Sequence, residues 1–394
     1  MTKQKLFTTE AKTEQVFLVG VGSKTYDHGW SVTDSLQELS YLAKTAGANV
    51  VGMLTQKLDR PSSTHYIGKG KIGELIDLKE QTQYDTVIFD DELSPRQQRN
   101  LEDALGVRVI DRSALILHIF AERARTSEGK LQVELAQHQY LLPRLVGQWR
   151  HLERLGGGIG TRGPGEAQLE TDRRLIHKRV NLLKQKIEGV RKHRSLYRKR
   201  RKEEGIPIVA LVGYTNAGKS TLFNALSNAG VDVEDKLFST LDPVTRRVAL
   251  PSGQELLITD TVGFIHKLPA SIIAAFRATL EELDEADLLL HIVDITHKNA
   301  ANQCLTVEQT LKELNLENKS RFTVFNKLDL ALKSEGEFRA LDTAPYFGQE
   351  ILLPREGVVF ISAAMAWGVD KLLDTIACHL SGASQIKPLN SVSY

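Results

Sequence analysis

Gly213-Tyr214-Thr215-Asn216-Ala217-Gly218-Lys219-Ser220-Thr221 has the spacing of a phosphate-binding loop. Two glycines bracket four residues, and a lysine and two hydroxyls follow. The apolar run Ile208–Val212 precedes it and a helical pattern, Leu222–Leu226, comes after, which is the strand-loop-helix setting such a loop requires. Gly213 and Gly218 let several N–H groups point into one concavity at a helix N-terminus, where the helix adds positive potential. Lys219 is placed to reach the β- and γ-phosphates, and Ser220 to ligate Mg²⁺. Downstream, Asn326-Lys327-Leu328-Asp329 follows the strand-like Phe322–Phe325. The Asp329 carboxylate can accept from guanine N1–H and its exocyclic amine, a pair adenine does not offer. Asn326 would meet the other edge of the base, and the Lys327 stem would lie on the ring. Ser362 and Ala363, after Val358-Val359-Phe360, supply small residues to back it. These strings imply a guanine nucleotide site.

Between them lies a candidate sensor for the third phosphate. In Asp260-Thr261-Val262-Gly263-Phe264 the Asp260 carboxylate would hold Mg²⁺ through a water, and the Gly263 N–H would bond the γ-phosphate. Thr240 is the favoured second hydroxyl on Mg²⁺, with Thr245 and Thr221 as competitors. Lys219, Thr240 and Gly263 are thus the expected catalytic set. Hydrolysis would release both segments. Phe264 stands where Ras-like proteins carry a water-orienting glutamine, so intrinsic turnover should be slow unless another group serves.

Positioning these strings takes several domains. The chain has 394 residues, 41% hydrophobic and 25% charged, enough for two or three soluble domains. Residues 1–127 read as a small parallel α/β domain with strands near 16–21, 50–54, 85–89 and 107–110. Its Tyr66–Lys71 turn, basic and glycine-containing, lacks phosphate-loop spacing. Residues 128–205 read as a long antiparallel helical hairpin. Leu131, Leu135, His138, Leu142, Leu145, Trp149 and Leu152 form one stripe, and Leu169, Ile176, Val180, Leu183, Ile187, Val190 and Tyr197 the other. Pro143 should kink the first helix. Residues 206–384 form the Ras-like domain, and 385–394 a tail.

The tip of the hairpin, residues 156–165, holds six glycines in ten positions, including Gly156, Gly157, Gly158 and Gly163, with Arg162 among them. A flexible, backbone-rich tip with arginines suits a crevice of structured RNA. Between Lys178 and Glu204 twelve Lys and Arg face three Asp and Glu, although the whole chain is only +2. The densest stretch, with Arg198, Arg200 and Arg201, suits phosphate-backbone contact. Cys304 and Cys378 have no metal-ligand spacing and read as buried free thiols in a reducing cytosol. No run has the length of a membrane span and the start has no signal sequence, so a cytoplasmic monomer is expected.

GGGIGTRGPGEAQLETDRR, the YIGKGK turn, GYTNAGKST and DTVGFIHKLP together resemble the HflX family of translational GTPases, over roughly residues 15 to 380. The resemblance implies a GTP hydrolase that binds the large ribosomal subunit through its RNA and, in several members, splits stalled or stress-inactivated ribosomes. A large-subunit assembly GTPase and a nucleotide-gated silencing factor are the alternatives. Some relatives bind ATP or unwind RNA through the N-terminal domain. Asn216 occupies the position where related GTPases hold K⁺ beside the phosphates.

Overall fold

The computed structural model describes residues 13–23, 29–148, 164–203, 205–227, 230, 237–269, 272–273, 282–332, 334–340 and 357–382. The chain divides into two compact units, residues 1–119 and 120–394.

The first unit is a four-stranded sheet of order β2-β1-β3-β4, parallel throughout: β1 Gln15–Ser23, β2 Asn49–Leu58, β3 Thr86–Phe89 and β4 Arg108–Asp111. Parallel strands covered on both faces read as continuous apolar runs, and β3 is buried at every residue. Helices α1 (Val32–Thr45), α2 (Lys69–Thr82) and α3 (Pro95–Leu105) supply the crossovers. Helix α1 buries Leu36, Leu39, Leu42 and Ala43. Helix α3 opens on a reciprocal Ser94–Gln97 capping box and closes on Gly106 in the left-handed region.

Beyond the C-terminal ends of β3 and β4, where open α/β sheets take ligands, this unit places charges that satisfy one another. The buried Arg112 guanidinium pairs with Asp90 at 2.6 Å and with Glu38, and Ser35 donates to Asp90 at 2.7 Å. The Tyr66–Lys71 turn is likewise engaged internally. Gly68 N–H donates to Gln56 at 2.9 Å, Ile67 is buried, and Lys71 pairs with Glu74.

In the second unit, helix α4 (Arg112–Arg123), which spans the border, leads to α5 (Ser127–Gln148) and α6 (Pro164–Glu203). Helices α5 and α6 form the antiparallel hairpin, sealed by Leu131, Leu135, Ile176, Val180, Leu183 and Ile187. Those are members of the two expected stripes. Arg179 crosses the seam to Glu134 at 2.5 Å. His138 is partly buried on it, 3.6 Å from Glu134. Helix α5 continues through Pro143 rather than ending there. Gly156, Gly157, Gly158, Arg162 and Gly163 lie outside the described residues, as do the side chains of Arg198, Arg200 and Arg201 on α6.

The rest of the unit is a six-stranded sheet of order β10-β9-β8-β5-β7-β6. Its strands are β5 Ile208–Gly213, β6 Val244–Ala249, β7 Glu255–Asp260, β8 Leu288–Asp294, β9 Arg321–Asn326 and β10 Val358–Phe360. Only the β6–β7 pair is antiparallel. Helices α7 (Lys219–Ser227), α8 (Ala300–Glu313), α9 (Glu335–Ala340) and α10 (Val369–Leu380) accompany it. One expectation is corrected: Cys304 is buried but Cys378 is exposed. Helix α10 buries Val369, Leu372 and Ile376, and a residue two positions beyond Ile376 turns away from that stripe.

Candidate functional site

The order of the larger sheet decides where the site lies. β5, β7, β9 and β10 end at the same edge, so the segments after them converge there: Gly213–Lys219, Asp260–Phe264, Asn326–Asp329 and Ser362–Ala363.

The loop after β5 needs glycine at both ends for steric reasons. Gly213 has φ 153° and its missing Cβ would strike the Ile292 carbonyl; Gly218, at φ 91°, would strike the Asn326 amide. Lys219 is buried, and its Nζ donates to the carbonyls of Tyr214 at 2.7 Å and Gly213 at 3.2 Å. Burial lowers its pKa to about 8, with the Asp260 charge acting in the opposite direction. An ammonium that donates to two carbonyl oxygens at the floor of a cleft can exchange them for an anion. Thr215, Asn216, Ser220, Thr221 and Thr240 line that cleft with Lys219 and Gly263.

Ser220, Thr240 and Asp260 meet in one triangle. Ser220 Oγ lies 2.7 Å from Asp260 Oδ2 and 2.8 Å from Thr240 Oγ1, and Thr240 Oγ1 lies 2.9 Å from the same carboxylate oxygen. Of the competitors of Thr240, Thr245 has a different partner, Thr259 across β6–β7 at 2.9 Å, while Thr221 lines the same cleft as Thr240. Burial raises the Asp260 pKa, opposed by the Ser220 hydrogen bond, the Lys219 charge and the Thr240 hydrogen bond. Asp260 Oδ1 is buried without a hydrogen-bond partner. Two hydroxyls and a carboxylate with an unused oxygen fit a small, hard divalent cation.

The segment after β7 is zipped to the phosphate loop. Phe264 N–H donates to Gly213 at 3.0 Å, Thr215 N–H donates to Phe264 at 2.8 Å, and His266 N–H donates to the Tyr214 hydroxyl at 2.7 Å. Gly263 is therefore pressed on the loop, and a Cβ there would sit 2.7 Å from Thr215 Cα and 2.9 Å from Lys219 Nζ. The Phe264 side chain is buried in an apolar pocket with Phe120, Phe238, Leu268 and Ile272.

At the other end of the site, Asn326 has a task its motif did not reveal. Its Nδ2 donates to the Ala217 carbonyl at 3.0 Å and its Oδ1 accepts from Ala363 N–H at 2.9 Å. It braces the phosphate loop against the loop after β10, leaving one amide hydrogen for a base edge. The Asp329 carboxylate accepts from Ser362 Oγ at 2.6 Å, which in turn accepts from Met365 N–H at 3.1 Å. Lys327, at φ 68°, pairs with Asp294 at 2.8 Å.

A connection that motif reading missed joins the Thr240 segment to the hairpin. Asp242 accepts from the N–H groups of Arg125 and Thr126, both at 2.8 Å, and from Thr126 Oγ1 at 2.5 Å. Thr126 caps α5 by accepting from Gly129 N–H at 2.9 Å. The only local trace of this in sequence is a threonine two residues before an acidic first turn. Close by, the Phe120 and Phe238 rings meet edge to face at 4.7 Å.

Comparison with known proteins agrees with this geometry. Three family models match in tandem: GTP-binding GTPase N-terminal over residues 33–121, GTP-binding GTPase Middle Region over 123–201, and 50S ribosome-binding GTPase over 208–327. A GTPase HflX of Caldanaerobacter subterraneus is 49% identical over 95% of this chain and 82% of its own length. Those of Alkalihalophilus pseudofirmus and Escherichia coli K12 are 53% and 43% identical, over 80% and 89% of this chain and 74% and 80% of their own lengths. With a phosphate loop, a guanine-reading motif and both N-terminal regions in place, the chain belongs to the HflX family of GTPases and is a GTP hydrolase.

Proposed function

We propose that this GTPase binds the large ribosomal subunit and dissociates stalled or stress-inactivated ribosomes, using the state of its nucleotide to set the helical arm. The observation that carries this reading is the Asp242 bridge. It joins the segment that carries Thr240 to the first turn of α5, the root of the arm. In this reading the chain has three working parts: residues 1–127, the arm 128–205, and the GTP-binding domain 206–384.

Within the last part, N–H groups of Gly213–Thr221 cradle the phosphates, and Lys219 leaves the Gly213 and Tyr214 carbonyls for the β- and γ-phosphates. Gly263 N–H bonds the γ-phosphate. Asp329 reads guanine, with Asn326, Lys327, Ser362 and Ala363 around the base. Ser220 and Thr240 would hold Mg²⁺, with Asp260 reaching it through a water, and the ion would supply positive charge to the phosphate oxygens. Asn216 supports K⁺ beside the phosphates; equal turnover in K⁺ and Na⁺ buffers removes that role. Gly156, Gly157, Gly158, Arg162 and Gly163 contact ribosomal RNA at the arm's tip, while Arg198, Arg200 and Arg201 contact its phosphates. The protein works as a cytoplasmic monomer.

The test adds the protein to intact 70S particles with a non-hydrolysable GTP analogue and sediments the mixture. Free subunits are expected. Binding to precursor particles alone supports an assembly role, and capped large subunits without splitting support silencing. Replacing residues 156–165 by a Ser-Gly turn should stop splitting while GDP affinity stays near that of the parent. Splitting by that variant makes the tip a passive connector.

A further inference from the structure

Phe264 leaves a gap at the centre of the reaction. An attacking water needs an acceptor to orient it, and the phenyl ring is packed into the apolar pocket rather than facing the cleft. Besides Thr215 and Lys219, the polar side chains lining the cleft are Asn216, Ser220, Thr221, Ser239, Thr240 and Thr261. Thr261 Oγ1 is spent on the Leu211 carbonyl at 2.6 Å. Ser220 and Thr240 form the triangle with Asp260. Thr215 is different. It lines the cleft, is only 6% exposed, and its hydroxyl is buried with no hydrogen-bond partner. Buried hydroxyls are costly to leave unpaired, so an orphan in a binding cleft points to a partner that arrives with the ligand.

Its position identifies that partner. The point where a Gly263 Cβ would stand is 3.1 Å from Thr215 Cβ and 2.9 Å from Lys219 Nζ. Thr215 therefore shares one small volume with the two groups assigned above to the γ-phosphate. Its own backbone is fixed there, because Thr215 N–H donates to Phe264.

From this juxtaposition we infer that Thr215 is a catalytic residue whose hydroxyl bridges the attacking water and a γ-phosphate oxygen, replacing the glutamine that Phe264 displaces. A hydroxyl carries one donor and two acceptor positions, which is what a bridge requires. Thr215 Oγ1 accepts from the water and donates to the phosphate oxygen. The water oxygen forms the new bond to γ-phosphorus while the bond from γ-phosphorus to the bridging oxygen breaks. That electron pair leaves with GDP. The water proton passes to a phosphate oxygen and then to solvent, and Thr215 keeps its own.

The inference rests on the proposed γ-phosphate placement, and wild-type turnover and GDP binding in the same assay test that separately. Thr215→Val keeps the branched shape and removes the hydroxyl; Thr215→Ser keeps the hydroxyl and removes the methyl. Single-turnover hydrolysis should fall about 100-fold in the Val variant, the scale of one lost oriented hydrogen bond in a transition state. The Ser variant should stay within about fivefold, and GDP affinity should stay within about threefold in both, because GDP has no γ-phosphate. Capture of GDP with aluminium fluoride, which mimics the transferring phosphoryl group, should fail for Val and persist for Ser. If the Val variant does not bind GDP, Thr215→Ala is measured against the same Ser control. Parental turnover in the hydroxyl-free variant overturns the inference, and so does an equal loss in the hydroxyl-free and Ser variants.

Discussion

Removing the Asp242 carboxylate should disconnect the arm from the nucleotide. Asp242 accepts three hydrogen bonds within 2.8 Å from the residues that begin α5, and its charge lies at the positive end of that helix. Hydrogen bonds to a charged group contribute about 1.5–3 kcal/mol each when protected, and a helix cap about 1 kcal/mol. Asp242 is half-buried, so solvent recovers much of the gross sum, and a net loss of about 2 kcal/mol is expected for Asp242→Ala. That corresponds to about 30-fold in the closing equilibrium of the first turn, at 1.4 kcal/mol per tenfold. Amide hydrogen exchange over residues 125–130 reads that equilibrium directly. In the parent, protection should differ between GDP and a non-hydrolysable GTP analogue. In Asp242→Ala it should fall about 30-fold with the analogue, and the nucleotide difference should vanish. Gly129→Ala provides an independent approach, since its methyl would collide with Asp242 Oδ1 while leaving the carboxylate in place. The two variants should match. Unchanged protection in both would refute the reasoning, and a change in only one would mean that the cap is not what links them.

Three further outcomes are expected. Asp329→Asn should lower GTP affinity by at least about 100-fold and favour xanthosine triphosphate in competition, since an amide donates where guanine needs an acceptor; parental GTP affinity would contradict the base assignment. Gly263→Ala should retain GDP but lose hydrolysis by about 100-fold, because its methyl would meet the Thr215 backbone at 2.7 Å; unchanged turnover would show that the two segments separate freely. His291 is buried in β8, and burial, with the Arg321 and Lys219 charges, pushes its pKa down to about 3. A depressed folded-state value means stability is fully present above the unfolded value near 6.5 and is lost as pH falls toward 3; in unfolding titrations His291→Leu should flatten that acid limb, and an identical slope would remove His291 from it.

How much of this could be read in advance depended on distance along the chain. The phosphate loop was legible because its chemistry lies within nine residues and depends on backbone conformation that glycine alone permits. β5 and β9 were favourable cases as well, read as the apolar runs Ile208–Val212 and Phe322–Phe325, because strands buried on both faces become continuous apolar runs. β8 went unread, although it is buried at all seven positions. The hairpin seam followed from periodicity through Leu135, Val180 and Leu183. The contacts that give these pieces a mechanism are remote. Asp242 meets Thr126 across 116 residues and Asn326 meets Ala217 across 109, and no local propensity encodes either. Thr215 was visible as a loop residue, but its unpaired hydroxyl required knowing that Phe264 turns inward and that Thr261 is already engaged. The exposure of Cys378 went unread for the opposite reason. It is wholly local, but it depends on which stripe of α10 the core selects.

If the nucleotide sets the arm as proposed, the remote contacts supply the route. Asn326 holds the phosphate loop to the base-side loop, so the two ends of the site keep a fixed spacing. Thr215 and Phe264 hold the loop to the segment after β7, while Thr240 and Asp242 tie the other switch segment to the metal-fitting triangle and to α5. With the base and phosphate ends braced, a change at the γ-phosphate would in this proposal pass to the two segments whose remaining attachments are replaceable hydrogen bonds. Of those, the Asp242 bridge leads through the Thr126 cap to a helix of 22 residues, about 33 Å at 1.5 Å per residue. A small shift of the carboxylate at the root of such a lever becomes a larger one toward its far end. That is the geometric reason to expect the nucleotide to be read at the arm rather than within the GTP-binding domain itself.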